Sequence, residues 1–294
     1  MISLIRHTIS AVLPQLSCKP EELSFLKYST PTSGTYPNDK VIVLVFEPKA
    51  RTPFLCVKTV RHYGAKENIL RSFNNLKRLN ELTAGSTSRG LFAEALYLYD
   101  DGEFVFSIET ACPGKRVKLD YEKLGAVVEA YIRFQEHIAV GPLRDADDLA
   151  LNTMSGCGLG TSDRQELLQF FNTLQGSSMQ LPCVIQHGDV TEDNMLFTSA
   201  DVCFVDYDLV GLVDLPGFDL FGLFRRFNHG EVAALCRKYL PSYFEKIGAN
   251  VESDNYIRLL FLYFVAEHTL RKPHLRYTIT AKRLIADFSH SFPI

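Results

Sequence analysis

The hydrophobic period of the chain changes at Cys112-Pro113-Gly114, and that switch limits the folds open to it. The pattern passes from strand-like to mostly helical, with two short strands around Asp189/Asn194 and Asp206. Ahead of the switch the apolar residues alternate or run in short blocks, the pattern of strands buried on one or both faces. Residues 23–28, 40–47, 54–60, 91–99 and 103–109 read as five strands, the last two joined by a hairpin turn at Asp100-Asp101-Gly102. One helix is expected among them over 67–82, where Ile69, Leu70, Phe73, Leu76, Leu79 and Leu82 recur near helical period. An amphipathic surface helix over 1–16 precedes the first strand. Behind the switch, 121–140 and 163–174 read as helices, and from Phe218 onward further helices are expected, broken by Pro241, Gly248 and Pro273. Residues 1–112 thus make a small β-rich domain and residues 113–294 a larger, mostly helical one, an α+β arrangement.

Composition narrows the function classes. With 294 residues, 46% of them apolar, the chain can bury a substantial core. A net charge of −3 gives no global nucleic-acid footprint. The seven cysteines are scattered, without Cys-x-x-Cys or Cys/His spacing, and fit reduced thiols in a cytoplasmic protein. No stretch approaches the ~20 apolar residues of a membrane span. The best, 259–266, is flanked by Arg258 and Glu267 and reads as one buried helix face. Residues 1–16 contain Arg6, His7 and Pro14 and lack the layout of a signal peptide.

The chemistry concentrates in His187-Gly188-Asp189-x4-Asn194, set between apolar segments and followed by Phe204-Val205-Asp206-Tyr207-Asp208. An Asp, an Asn five residues on, and a second Asp ending an apolar strand are what phosphoryl transfer needs. The first carboxylate orients an attacking hydroxyl; the Asn and the second carboxylate hold Mg²⁺ against nucleotide phosphates. The alternative is a polar turn between two buried strands, but such a turn has no need for its second strand to end in Asp206.

In these motifs the chain resembles the aminoglycoside phosphotransferase/choline kinase family, the small-molecule branch of the two-lobed protein-kinase-like fold. His187-Gly188-Asp189-x4-Asn194 resembles that family's catalytic loop, Val205-Asp206-Tyr207 its metal motif, and Leu215-Pro216-Gly217-Phe218-Asp219-Leu220 its segment bracing the loop. The resemblance implies that Asp189 is the catalytic base, that Asn194 and Asp206 are Mg²⁺ ligands, and that His187 and Asp219 support the loop. Asp208 is expected to be a loop residue. Lys58 resembles the strand lysine that meets nucleotide phosphates. The turn at Thr32-Ser33-Gly34 resembles the phosphate flap, with Ser33 and Gly34 as its binding residues. The segment from Glu109 through Ala111 to Cys112 stands where the hinge backbone meets adenine. One departure stands out: Ser72 occupies the place of the helix Glu that orients the strand lysine, and Glu67 lies more than a turn earlier.

The function so implied is ATP- and Mg²⁺-dependent transfer of phosphate to a hydroxyl of a small molecule, with GTP as an open alternative to ATP. The rival is a kinase-like nucleotide-binding scaffold with little or no turnover, which Ser72 favours. A protein Ser/Thr kinase is disfavoured, because His-Gly-Asp and Asp-Tyr-Asp stand where His-Arg-Asp and Asp-Phe-Gly are expected. The basic tail with His268, Arg271, Lys272, His274, Arg276, Lys282 and Arg283 reads either as a solvated face or as a site for an anionic acceptor. No nucleic-acid partner and no membrane span are expected.

Overall fold

The computed structural model describes residues 1–16, 18–29, 40–138, 143–177, 179–199, 201–271 and 279–292. They divide into two compact units, 1–118 with 193–208, and 119–192 with 209–294. The boundary differs from the expected one at 112/113, because the hairpin 193–208 belongs with the sheet unit. A backbone bridge between Lys115 and Phe197 and a Cys112–Cys203 disulfide tie it there.

In the first unit α1 (Ile2–Val12) precedes β1 (Ser24–Ser29), β2 (Lys40–Phe46) and β3 (Leu55–Val60). Next come α2 (Lys66–Leu82), β4 (Ala95–Asp100) and β5 (Val105–Thr110). The strands form one antiparallel sheet in the order β1-β2-β3-β5-β4. Period-2 alternation sends Val41, Val43, Val45, Leu55 and Val57 into a core closed by Ile5 and Ile9 of α1. The expected strand start at residue 91 is not seen. Asn80 of α2 donates to the Ala93 carbonyl (2.7 Å) and accepts from the Ala95 N–H (2.8 Å), so a side-chain amide replaces a strand partner there. The unit ends in the hairpin β8 (Met195–Phe197) and β9 (Val202–Phe204), with Met195 opposite Phe204.

The second unit holds α3 (Tyr121–Ile138), α4 (Ala146–Gly156), α5 (Thr161–Thr173), α6 (Phe218–Phe227), α7 (Val232–Lys246), α8 (Tyr256–Ala266) and α9 (Ala281–Ser291). A short β6 (Leu143–Asp145) pairs antiparallel with β7 (Gln180–Pro182). Pro241, expected to break a helix, lies inside α7. A mid-helix proline costs about 3 kcal/mol, and burial of the flanking Leu240, Tyr243 and Phe244 offsets it. Gly248 does end α7, at φ 73°. Pro273 lies outside the described residues. Helix α8 is buried all round rather than on one face, from Leu259 to Ala266, because its apolar residues cover every direction. Its flanking charges are buried but paired, Arg258 with Asp147 (2.8 Å) and Glu267 with Arg225 (2.7 Å). No helix among the described residues is long and apolar enough to cross a membrane.

Candidate active site

Lys58 lies on β3 opposite Ser107 of β5, two pairs from the Cys56–Glu109 pair. Its Nζ stands 2.7 Å from Glu109 Oε1, with both side chains less than a tenth exposed, and 4.9 Å from the centre of the Tyr207 ring. Burial, the largest single influence, works against the lysine charge, but Glu109 first, and Cys56 and Tyr207 behind it, together lift the pKa above its ordinary value. Burial, then Glu109, push the neighbouring Cys56 thiol up to about 12. The same two causes, in the same order, raise the Tyr207 phenol.

This corrects the expectation that Ser72 leaves Lys58 without a carboxylate. The carboxylate comes from the adjacent strand, through the diagonal cross-strand relation that long side chains span. Ser72 is 2% exposed on α2 and its Oγ has no hydrogen-bond partner among the described residues, while Glu67 is exposed. The expected hinge contacts also change. Glu109 sits inside β5, paired with Cys56 and Ala95, and the Ala111 N–H already donates to the Phe54 carbonyl at 2.9 Å. Ser33 and Gly34 lie outside the described residues.

Asn194 and Asp206 leave the same end of the β8–β9 hairpin. The Val205 N–H donates to the Asn194 carbonyl (2.9 Å), extending the ladder one step beyond Met195–Phe204. Asp206 takes φ 68°, a left-handed conformation that a non-glycine residue adopts at a cost of about 1–3 kcal/mol. Tyr207 holds it there. Its hydroxyl donates to the Phe204 carbonyl (2.9 Å) and accepts from the Ala93 N–H (3.1 Å), and its carbonyl accepts from Asn75 of α2 (2.7 Å). Lys40 Nζ lies 3.2 Å from Asp206 Oδ1 and also pairs with Asp208.

The donor set here is amide and carboxylate oxygen, which suits a hard divalent cation, and an ammonium already stands against the carboxylates. Among the described residues no three His, Cys, Asp or Glu side chains group as a cage. A Mg²⁺ ion held by Asn194 and Asp206 would therefore complete its shell with phosphate oxygens and water, as Mg²⁺ commonly does.

The loop bearing Asp189 belongs to the second unit. Gly188 has φ 87°, and a Cβ there would meet the Leu209 carbonyl oxygen at 2.2 Å. Its N–H donates to Asp219 Oδ2 and Oδ1 at 3.0 and 3.1 Å. Asp219, wholly buried at the start of α6, is fixed in turn: its N–H reaches Gln186 Oε1 (3.1 Å), and the Tyr131 hydroxyl lies 2.8 Å from Oδ2 and 2.7 Å from Gln186 Oε1. Burial first and the Asp219 charge second raise the Tyr131 phenol well above its ordinary value, which keeps its proton available for donation. Gln135 links Gln186 (3.1 Å) to the Ile185 carbonyl (2.7 Å). His187 is buried, and its Nδ1 receives the Asp189 N–H at 3.4 Å. The Asp189 carboxylate faces Arg226 of α6 at 3.8 Å.

Sequence reasoning missed Lys40, Asn75, Tyr131, Gln135, Gln186 and Arg226. Only Gln186 carried a signal, its place directly before His187-Gly188-Asp189. Of the basic tail, Lys282 and Arg283 are exposed on α9, whereas Lys272, His274 and Arg276 lie outside the described residues. His268 contacts Arg225 (3.3 Å) and the Phe264 carbonyl (2.8 Å). Two cysteines expected as reduced thiols, Cys112 and Cys203, are joined, and the Lys115–Phe197 bridge brings the segment after β5 alongside β8 of the same hairpin. The other five cysteines form no disulfide among the described residues.

No protein-family model matches the chain, and no curated protein matches it. Among solved structures it is similar to aminoglycoside phosphotransferase APH(4)-Ia, with a TM-score of 0.55 at 11% identity over 99% of this chain and 98% of that one. A thermostable mutant of that enzyme, in a ternary complex with AMP-PNP and hygromycin B, gives 0.55 at 10% over 98% of each chain. A mutant of aminoglycoside 2'-phosphotransferase-IIIa, in complex with GDP, gives 0.52 at 11% over 99% and 97%. At such identities the likeness establishes the fold. The chain has the α+β, protein-kinase-like fold of the aminoglycoside phosphotransferases.

Proposed function

We propose that the protein is a small-molecule kinase, moving the γ-phosphate of ATP to a hydroxyl with the help of Mg²⁺. The observation that carries this is the buried Lys58–Glu109 pair, in the same compact unit as Asn194 and Asp206. Burying a lysine and a glutamate together adds little net stability over an apolar pair, which favours a purpose beyond stability, and a fixed ammonium is what polyphosphate binding requires. The neighbours of the same fold that were solved with AMP-PNP or GDP support a nucleotide ligand.

In this reading Lys58 binds phosphate and Glu109 fixes the direction of its ammonium. Asn194 and Asp206 hold Mg²⁺, which when bound offsets charge on the transferring phosphoryl group. Asp189 accepts a hydrogen bond from the acceptor hydroxyl and takes its proton during transfer. Asp219, Tyr131 and Gln186 keep the Asp189 loop in its left-handed turn. The contribution is positioning and electrostatics, without a covalent enzyme intermediate.

The scaffold alternative drew on Ser72, and it weakens once Glu109 supplies the missing carboxylate. The test is Mg²⁺-dependent ATP consumption with a panel of hydroxylated metabolites that includes aminoglycosides, comparing wild type with Asp189→Ala. Turnover in the wild type that vanishes in a folded Asp189→Ala protein is expected; equal turnover in both would defeat the assignment.

A further inference from the structure

Asp206 and Asp208 flank the buried Tyr207, and both carboxylates meet the ammonium of Lys40. Two carboxylates directed at one point repel each other unless a cation stands between them. A single lysine neutralises half of their charge, whereas a divalent cation neutralises all of it. The lysine is also held closely, with a side chain only 14% exposed, where an ordinary surface lysine reaches into solvent. The strained φ of 68° at Asp206 belongs to the same arrangement, since it sets the direction in which that carboxylate leaves the hairpin.

We infer that Lys40 is the resident counter-ion of the metal locus, and that Asp208 is its second carboxylate. This rests on the phosphotransferase reading for the identity of the cation. In the metal-free protein the ammonium of Lys40 offsets half of the charge of Asp206 and Asp208; when a divalent cation binds there, Lys40 is released. Metal entry and lysine release are one exchange, so metal affinity is set partly by what Lys40 gives up. The chain thereby carries its own competitor for the metal, and Asp208 does more than fill a loop.

The exchange can be read with Mn²⁺ alone, following the free ion by electron paramagnetic resonance, without nucleotide or turnover. Lys40→Met, which removes the competitor, is expected to bind Mn²⁺ about tenfold more tightly than wild type, within the usual range of coupling between two ligands. Lys40→Arg keeps the charge and stays at or below wild-type affinity, and Asp208→Asn binds Mn²⁺ more weakly. Equal or weaker Mn²⁺ binding by Lys40→Met overturns the exchange. Unchanged binding by Asp208→Asn removes Asp208 from the locus. Wild-type protein supplies an independent measurement: acetylation of Lys40, followed by mass spectrometry, accelerates when Mn²⁺ is added. An unchanged rate of Lys40 acetylation at saturating Mn²⁺ also overturns the proposal. Mg·ADP binding to wild type is measured alongside. Its absence would defeat the kinase reading while leaving the Lys40 exchange standing.

Discussion

Lys58 of β3 and Glu109 of β5 are ion-paired at 2.7 Å with side chains 7% and 6% exposed, and no helix residue takes part in the pair. The small unit thus orients its lysine from within the sheet, by a diagonal cross-strand relation. Removing one partner strands the other charge in a nearly dry site, a loss of about 3–5 kcal/mol. Glu109→Ala should therefore lower stability by that amount and abolish nucleotide binding. The double variant Lys58→Met/Glu109→Leu should recover much of the stability but none of the binding. Denaturant melts and calorimetry with Mg·ADP check both, and a Glu109→Ala protein that melts like wild type would show the pair to be incidental.

The same pair has a signed pH dependence. Lys58 has a folded pKa raised above its ordinary 10.5, through Glu109 acting against burial. Its contribution is therefore complete below about 10.5, the unfolded value, and is lost only as pH rises toward the higher folded value. The stability gap between wild type and Glu109→Ala should stay constant from pH 7 to about 10 and narrow only above about 10.5, the unfolded value. Urea melts across that range test the sign, and a gap that closes below pH 9 contradicts it.

Asp206 trades stability for position. At φ 68° an aspartate is strained and a glycine is not, so Asp206→Gly should melt at or slightly above the wild-type temperature. Asp208 remains to pair with Lys40 in that variant. Mg²⁺-dependent nucleotide binding should nevertheless disappear. Thermal melts paired with calorimetry read both effects; a loss of about 2 kcal/mol or more would show that Asp206 contributes contacts rather than strain.

Much of this could be read from the chain before any coordinates. The alternation in β2 and the helical period of α2 are local patterns, and the spacing from Asp189 to Asn194 survives in one dimension. The partners of those residues do not. Glu109 became the mate of Lys58 through strand register across 51 positions, and Lys40 met Asp206 across 166. Such pairs depend on sheet order, which a single sequence does not print. Asn80 masked the true start of β4 for a related reason: a side chain supplied backbone hydrogen bonds that periodicity assigns to strands.

The Cys112–Cys203 disulfide closes a separation of 91 residues and anchors the hairpin that carries Asn194 and Asp206. On the chain-entropy account a loop of this length is worth about 4.6 kcal/mol. Protein purified without reductant should weigh about 2 Da less than its reduced form, by loss of two hydrogens, and should melt higher. Identical masses and melting temperatures with and without reductant would remove the bond from the account of this hairpin.

The Asp189 loop supplies the last test, because its support lies in side chains that never reach solvent. Asp219 is wholly buried and receives the Gly188 N–H, while the Tyr131 hydroxyl lies 2.8 Å from its Oδ2. Asp219→Ala leaves the Gly188 N–H without its acceptor, at about 1–3 kcal/mol, while the Tyr131 hydroxyl keeps Gln186 Oε1, and it frees Gly188 from the turn that sets the direction of Asp189. Tyr131→Phe removes one hydroxyl and leaves the Gly188–Asp219 contact in place, so its loss should be nearer 1 kcal/mol. Both variants should lower kcat while Mg·ADP affinity holds, because Lys58, Asn194 and Asp206 belong to the other compact unit. Equal falls in kcat and in nucleotide affinity would mean that the network supports the fold at large rather than the loop that carries Asp189.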